Sequence, residues 1–201
     1  MRKEGAVADC LADIQKEPRF WQRLLTFAGY DLGKVDGIIG VKTRAAAAKW
    51  AEDAAAIKAE VGEFDERSER NIDTLLPETQ RVARRWLKLA KPVAEKVGLD
   101  IRIICGTRTY NEQTALYNQK PKVTNARAGQ SFHNFGIAWD FGVFQGKTYF
   151  GEHPLYATVE KLYTQVPGIE WGGIWKNFPD QPHLQLTKYS TSAQARAAFE
   201  V

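Results

Sequence analysis

The spacing of apolar residues changes at Gly98, and this change limits the possible folds more than any other feature of the chain. Before Gly98, apolar residues recur every three or four positions, which is the spacing of a helical face. After it, the apolar segments are short, β-branched and partly alternating, a pattern typical of strands. These later segments predict strands at 99–105, 137–144 and 183–186 and helices at 111–119 and 154–165. Helices and strands mixed without regular βαβ spacing predict an α+β fold with a mainly antiparallel sheet.

The first third of the chain is expected to form a small helical unit. A helix whose apolar stripe includes Trp21 and Leu24 ends at Gly29. The loop segment from Gly29 to Gly40 holds four glycines in twelve positions. Thr43 is the predicted N-cap of the next helix, which continues to about residue 61.

The polar and highly charged segment 62–70 is the predicted boundary between two domains, at 10–62 and 68–201. Beyond it, the apolar spacing predicts a long helix over 77–97 that starts at a proline. The other side of that helix carries the basic residues Arg81, Arg84, Arg85 and Lys88. We expect this basic side either to be solvated or to contact an anionic wall polymer.

The distribution of charge argues against a nucleic-acid partner. The chain has 28 Lys and Arg against 24 Asp and Glu, a formal charge of +4. The excess is spread over both halves, whereas nucleic-acid binding needs a concentrated basic face, so we expect no nucleic-acid partner.

The sequence also gives expectations about the compartment. The two cysteines, Cys10 and Cys105, are too few for a disulfide framework. The chain shows neither a secretory signal nor an apolar stretch long enough to span a bilayer. We therefore expect synthesis in the cytoplasm without membrane insertion, and any action outside would need release by another protein.

The chain has only three histidines, so any histidine-based site must be built from His133, His153 and His183. Six residues separate His133 from Asp140, and His183 follows in a distant segment. Two imidazoles and one carboxylate would leave the fourth position of a tetrahedral zinc ion to water, as in catalytic zinc sites. Spacing alone leaves two other interpretations open: satisfied core histidines with Asp140 as a cap, or an iron centre of the oxygenase type. His153 is expected in a surface loop.

A hydrolase with such a site also needs a carboxylate that moves a proton from water to the leaving amine. Asp180 lies three residues before His183 and is the first candidate for this role. Glu170, thirteen residues before the same histidine, is the second.

Four separated motifs in the second predicted domain resemble those of one peptidase family. They are Cys105-Gly-Thr-Arg108 with Gln113, Ser131-x-His133-x-x-Gly136-x-Ala138-x-Asp140, Glu170-Trp-Gly-Gly173 and Asp180-x-Pro-His183. In this order they resemble zinc peptidase family M15, which includes VanY-type D,D-carboxypeptidases and phage L-alanyl-D-glutamate endopeptidases. The family often has serine where this chain has Cys105.

The resemblance implies a role for each matching residue. One zinc ion would be held by His133, Asp140 and His183. Asp180 would be the general base, and Arg108 would polarise the scissile carbonyl or hold a substrate carboxylate. The residues that would support the ligands are Ser131, Glu170 and Gln185.

The N-terminal segment resembles the small three-helix peptidoglycan-binding module of many wall hydrolases. The match runs through residues 20–30, 33–40 and 43–45. In that module a tight loop between helices corresponds here to Asp36, Gly37 and Gly40, where glycines supply backbone angles that other residues resist.

Together the resemblances imply a zinc-dependent peptidoglycan peptidase, similar to a phage endolysin, that cuts the L-Ala–D-Glu bond of the stem peptide. One alternative is a D-Ala–D-Ala carboxypeptidase that uses the same site. Another is a wall-binding or signalling protein with a structural zinc ion, because the family resemblance extends to the hedgehog signalling domain. The expected partner is bacterial peptidoglycan, and the expected oligomeric state is a monomer.

Overall fold

The computed structural model describes residues 10–201, which form a mixed structure of helices and one antiparallel sheet. The N-terminal helices are α1 (Cys10–Gln15), α2 (Pro18–Phe27), α3 (Val41–Val61), α4 (Glu66–Ile72) and α5 (Pro77–Glu95). The strands are β1 (Asp100–Cys105), β2 (Ala138–Gln145), β3 (Thr148–Phe150), β4 (Ile169–Trp171) and β5 (His183–Leu186). The later helices are α6 (Tyr110–Asn118), α7 (Leu155–Tyr163) and α8 (Ser192–Phe199), with short 3₁₀ turns at Phe132–Phe135 and Gly172–Ile174. Within this range, no helix has both the length and the apolar composition needed to cross a membrane.

The sheet confirms the predicted fold class. Its strand order is β1-β2-β5-β4, and β3 pairs with the C-terminal part of β2. Every pairing is antiparallel. The three strands predicted from sequence are β1, β2 and β5, and the predicted bounds agree to within one residue.

One face of the sheet is covered and apolar. Trp139, Phe141 and Leu184 are fully buried on the two central strands. Helix α5 packs against this region, with the rings of Trp86 and Phe141 4.7 Å apart between centroids. Since strand side chains alternate between faces, the residues between these point to the opposite face.

The basic side of α5 differs from the prediction. Arg84 is fully buried, and its two terminal nitrogens donate to the two carboxylate oxygens of Glu69 at 2.7 and 2.8 Å. Arg81 and Arg85 instead pair with Glu60 of α3. The expectation that Arg84 is solvated or contacts a wall polymer is therefore wrong, because a buried carboxylate within the chain takes its charge.

The charged segment 62–70 contains the start of a packed helix. Asp65 caps α4 by accepting from the Ser68 backbone N–H at 3.0 Å. Ser68 and Asn71 then bind the backbone of Ile103 on β1, at 2.9 and 3.1 Å. The high charge of this segment therefore belongs to a helix that packs on the edge of the sheet. The division into domains near residue 62 stays a prediction.

Helices α1, α2 and α3 occupy residues 10–61, and the identity of this segment as a peptidoglycan-binding module stays a prediction. Helix α3 begins at Val41 with Gly40 as its N-cap, so the prediction of Thr43 as the cap is wrong. The Gly40 carbonyl accepts from the Arg44 N–H at 3.0 Å. The Thr43 hydroxyl lies inside the first turn and accepts from Gln22 Nε2 at 3.3 Å.

Gln22 organises the loop between α2 and α3. Its amide nitrogen donates to Asp36 Oδ1 and to the Ile38 carbonyl, each at 3.0 Å. Its amide oxygen accepts from the Gly37 N–H at 2.7 Å, at a position where φ is +84°. The buried side chain of Gln22 thus fixes the tight loop that the sequence predicts.

Candidate metal centre

Three side chains from separate parts of the chain meet on the polar face of the sheet. The register places Asp140 on β2 directly opposite His183 on β5, so both side chains leave the same face. His133 reaches them from the 3₁₀ turn that precedes β2. Its Nε2 lies 3.1 Å from Asp140 Oδ1 and 3.2 Å from His183 Nδ1. The remaining pair, His183 Nδ1 and Asp140 Oδ1, is also 3.1 Å apart.

Hydrogen bonding fixes which nitrogen of His133 carries a proton. Its Nδ1 lies 2.8 Å from the carbonyl oxygen of Gly106, which can only accept. Nδ1 must therefore donate, and Nε2 presents a lone pair to Asp140 and His183. Only glycine fits at 106, because a Cβ there would collide with the Asn71 carbonyl and the Thr74 hydroxyl.

A chain of hydrogen bonds fixes the second imidazole in the same way. The indole N–H of Trp175 donates to Glu170 Oε1 at 2.6 Å. The other Glu170 oxygen accepts from Gln185 Nε2 at 3.3 Å, so the amide oxygen of Gln185 faces His183. That oxygen lies 3.0 Å from His183 Nε2, which must therefore donate and leave a lone pair on Nδ1. Glu170 and Gln185 thus reach the site through His183.

The resulting donor set fits a zinc ion. Two imidazole lone pairs and one carboxylate oxygen face a common point, with edges of 3.1–3.2 Å. A tetrahedral zinc ion with ligands at about 2.0–2.1 Å has its ligand atoms about 3.3 Å apart. Three electron-pair donors this close repel one another unless a metal ion or a proton lies among them.

The charges in the site follow from the same contacts. Burial, helped by the Arg108 charge, lowers the pKa of His133 to about 4. Burial alone would raise the pKa of Asp140, but the two histidines and Arg108 hold it well below its usual value. Burial would lower the pKa of His183, yet the hydrogen bond and charge of Asp140 raise it above 6.5. At neutral pH, Asp140 is therefore an anion and His133 is neutral.

Arg108 lies beside Asp140 rather than in open solvent. Its Nη2 is 3.8 Å from Asp140 Oδ2, and its Nη1 donates to Gln113 Oε1 at 3.2 Å. The backbone of Arg108 is tied to the turn that carries His133, since the Arg108 N–H donates to the His133 carbonyl at 3.0 Å. The guanidinium group is thereby held at the edge of the candidate centre.

A cavity of about 420 Å³ opens onto the three side chains. Asp180 and Arg108 both line it, together with Trp175 and the 62% exposed Phe178. The Asp180 charge also contributes to the raised pKa of His183. The structure therefore brings the predicted base and arginine to the cavity that holds the predicted ligands.

The remaining predicted site residues have different positions. Ser131 lines the cavity, and its carbonyl accepts from the Asn134 N–H at 3.0 Å, which closes the turn that carries His133. His153 lies at the start of α7, where its Nδ1 accepts from the Leu155 N–H at 3.1 Å. The loop residues Asp36, Gly37 and Gly40 belong to the N-terminal helices.

Two further residues adjoin the centre: Cys105, which begins the first sequence motif, and Asn134, which no motif named. Cys105 stands opposite Asp140 in the register, and its sulfur is 3.8 Å from His133 Nδ1. Ligand-type atoms of Cys105, His133 and Asp140 lie within 4.8 Å of one another. Asn134 is fully buried, accepts from the Gly129 N–H and donates to the Arg108 carbonyl. An asparagine directly after a candidate ligand is the sequence signal that could have found it.

Comparison with known proteins identifies the class of this site. The sequence profile of a family described as D-alanyl-D-alanine carboxypeptidase, in the peptidase M15 group, matches residues 124–186. This range contains all three side chains of the candidate centre. Residues 124–186 therefore match an M15 peptidase domain, and members of this family are in general zinc peptidases.

Individual relatives are similar over a larger part of the chain. The peptidoglycan L-alanyl-D-glutamate endopeptidase CwlK of Bacillus subtilis (strain 168) is 37% identical over 113 residues, which cover 48% of this chain and 66% of that protein. The L-alanyl-D-glutamate peptidase of Listeria phage A118 is 32% identical over 122 residues, 60% of this chain and 41% of the phage protein. The chain thus spans just under two thirds of the first relative and about two fifths of the second. The crystal structure of the L-Ala D-Glu endopeptidase ChiX of Serratia marcescens matches with 27% identity and a TM-score of 0.48, over 62% of this chain and 89% of that one.

Proposed function

We propose that this chain is a zinc-dependent peptidase that cuts the L-Ala–D-Glu bond of the peptidoglycan stem peptide. The observation that carries the proposal is the convergence of three lone pairs, from His133, Asp140 and His183, at the end of an open cavity. The choice of bond is supported by the relatives from Bacillus subtilis and Listeria phage A118, both named for L-alanyl-D-glutamate cleavage.

Within this proposal the three ligands would hold one zinc ion. Bound there, zinc supplies Lewis acidity and makes water a nucleophile near neutral pH. Asp180, on the same cavity, takes the proton from the attacking water and gives it to the leaving amine.

Arg108 has a separate task in the proposed reaction. Its guanidinium already balances the Asp140 charge from 3.8 Å, and Gln113 holds it from the other side. Positioned this way, it donates to the carbonyl oxygen as negative charge develops, or it binds a substrate carboxylate. Substrate binding would draw on donors that the fold has already oriented.

A test of the mechanism compares wild type with Asp180→Asn and His153→Ala. We expect Asp180→Asn to bind zinc like the wild type and to lose most of its wall-digesting activity. His153→Ala should retain both properties, because its imidazole is used at the start of α7. A fully zinc-loaded wild type without peptidase activity would favour the alternative of a wall-binding protein with a structural zinc ion.

A second candidate reaction is D-Ala–D-Ala carboxypeptidase activity, favoured by the description of the matching family. Mass spectrometry of fragments from purified peptidoglycan separates the two reactions. New N-terminal D-Glu indicates the endopeptidase, whereas release of free D-Ala indicates the carboxypeptidase.

The N-terminal helices would add affinity for the insoluble substrate. We propose that residues 10–62 bind peptidoglycan through the loop that contains Asp36, Gly37 and Gly40, which would raise the local concentration of substrate. The enzyme would then reach the wall after release through a membrane lesion, as an endolysin does. A monomer would be sufficient, since one chain supplies all the side chains of the candidate centre.

A further inference from the structure

We infer that the N-terminal helices have a second function besides wall binding: they position the metal centre by holding the turn that carries His133. The inference rests on the proposed zinc site, but it concerns contacts on the side of the turn remote from the substrate cavity. Helix α2 supplies these contacts, and the turn is the 3₁₀ segment Phe132–Phe135 with Gly136.

The first contact lies behind Gly136. This residue has a left-handed backbone, with φ at +68°, and ends the turn three residues after His133. A Cβ placed on it would lie 3.2 Å from Leu24 Cδ1 of α2 and 3.2 Å from Leu76. The Gly136 carbonyl also accepts from the Leu76 N–H at 3.0 Å. The end of the turn is therefore enclosed between the N-terminal helix and the residue before α5.

The second contact passes through an aromatic cluster centred on Phe199 of α8. Its ring lies 5.3 Å from that of Phe135, which is two residues after His133. The same ring lies 5.5 Å from both Phe20 and Phe27 of α2. Because interiors are close-packed, moving α2 would move this cluster and the turn with it.

The third contact reaches the arginine side of the cavity. Phe20 packs edge-on against Tyr110, with ring centroids 5.6 Å apart. Tyr110 follows Arg108 by two residues, and the Asn134 side chain joins the Arg108 carbonyl to the His133 turn. One face of α2 thus supports both segments that border the candidate centre.

A mobile wall-binding anchor would not need these contacts. Leu24 and Phe135 belong to one continuous buried cluster that extends from α1 to the sheet. The N-terminal helices are therefore packed on the peptidase, and changes inside them should reach the zinc site.

The experiment uses the full chain and compares Leu24→Ala and the milder Leu24→Val with Ile57→Ala. Ile57 is buried on α3 and, among the described residues, lies outside the cluster that joins Leu24 to Phe135. Each variant loses methyl or methylene groups from the same helical unit, but only the Leu24 variants open space behind Gly136. Zinc affinity is measured by chelator competition, and kcat with a soluble stem peptide that needs no wall binding.

We expect Leu24→Ala to lower zinc affinity about tenfold, as loss of a group that orients a ligand commonly does, with Leu24→Val intermediate. Ile57→Ala should remain within about twofold of the wild type in zinc affinity and in kcat on the soluble peptide. If Leu24→Ala does not fold, Leu24→Val against Ile57→Ala decides the question.

The inference is overturned if the Leu24 variants match Ile57→Ala in zinc affinity and soluble-peptide kcat, even if they bind walls poorly. A wild type that binds zinc but does not cut the peptide overturns the proposed function alone, because the zinc affinities still decide this inference. A wild type that binds no zinc overturns both.

Discussion

Replacing Gln185 by leucine would remove the acceptor that holds the Nε2–H of His183. Both residues are buried, and the donor and acceptor lie 3.0 Å apart. The buried imidazole N–H, left without an acceptor, should lower the free energy of unfolding by about 1–3 kcal/mol. Zinc affinity should fall about 10- to 100-fold, equivalent to about 1.4–2.7 kcal/mol, because His183 would no longer be held with its Nδ1 toward Asp140.

The assay is chelator competition for zinc at pH 7.5, paired with thermal unfolding of the metal-free protein. Gln165→Leu is the matched control, since it makes the same chemical change at an exposed residue after α7. Trp175→Phe should give a smaller loss than Gln185→Leu, because it removes only the distal hydrogen bond to Glu170. If Gln185→Leu binds zinc within twofold of the wild type, the reasoning about the His183 tautomer is refuted.

Four further outcomes are expected. Glu69→Ala should lower the free energy of unfolding by about 3 kcal/mol, because the buried Arg84 would lose its two close carboxylate contacts and keep only the longer pair with Asp73 at 3.6 Å. Glu66→Ala, at an exposed pair, should lower it far less. Burial raises the pKa of Glu69, but Arg84 and the Phe64 N–H outweigh burial and hold this pKa below 4.5. The stabilisation by ionised Glu69 is therefore complete above about pH 4.5 and is lost as the pH falls through the lowered pKa. Equal acid unfolding of wild type and Glu69→Ala would contradict this. Zinc binding at pH 6 should release a proton, because the pKa of His183 is raised above 6.5 and an imidazole must be neutral to bind the metal. Calorimetry in buffers of different ionisation enthalpy counts that proton. Gly106→Ala should weaken zinc binding and stability together, because the added methyl displaces the carbonyl that orients His133, whereas Gly146→Ala, with open space around it, should affect stability alone.

The sequence predicted β1, β2 and β5 from local pattern, whereas β3 and β4, of three residues each, were too short to stand out. Short β-branched segments fixed the strands, and the pairing of Asp140 with His183 follows once β2 and β5 are neighbours. The scarcity of histidine limited the possible combinations of ligands, and the resemblance to the peptidase family selected His133, Asp140 and His183 among them.

The errors arose where a polar side chain finds its partner far along the chain. Arg84 had the helical position of a solvated residue, but Glu69, fifteen residues earlier, is buried beside it. Thr43 has a residue type that commonly caps helices, but its hydroxyl accepts a hydrogen bond from Gln22 of the preceding helix. Periodicity reports which face of a helix is apolar and contains no information about such partners.

The aromatic cluster around Phe199 also constrains the order in which the protein can become active. Phe20, Phe135 and Phe199 are far apart in sequence, yet their rings must assemble to enclose the His133 turn. Contacts over such separations form late, because the loops between them must close first. Because the zinc site is proposed to depend on this cluster, a chain that has not yet assembled it should bind zinc weakly, and zinc binding would report on folding of the whole molecule.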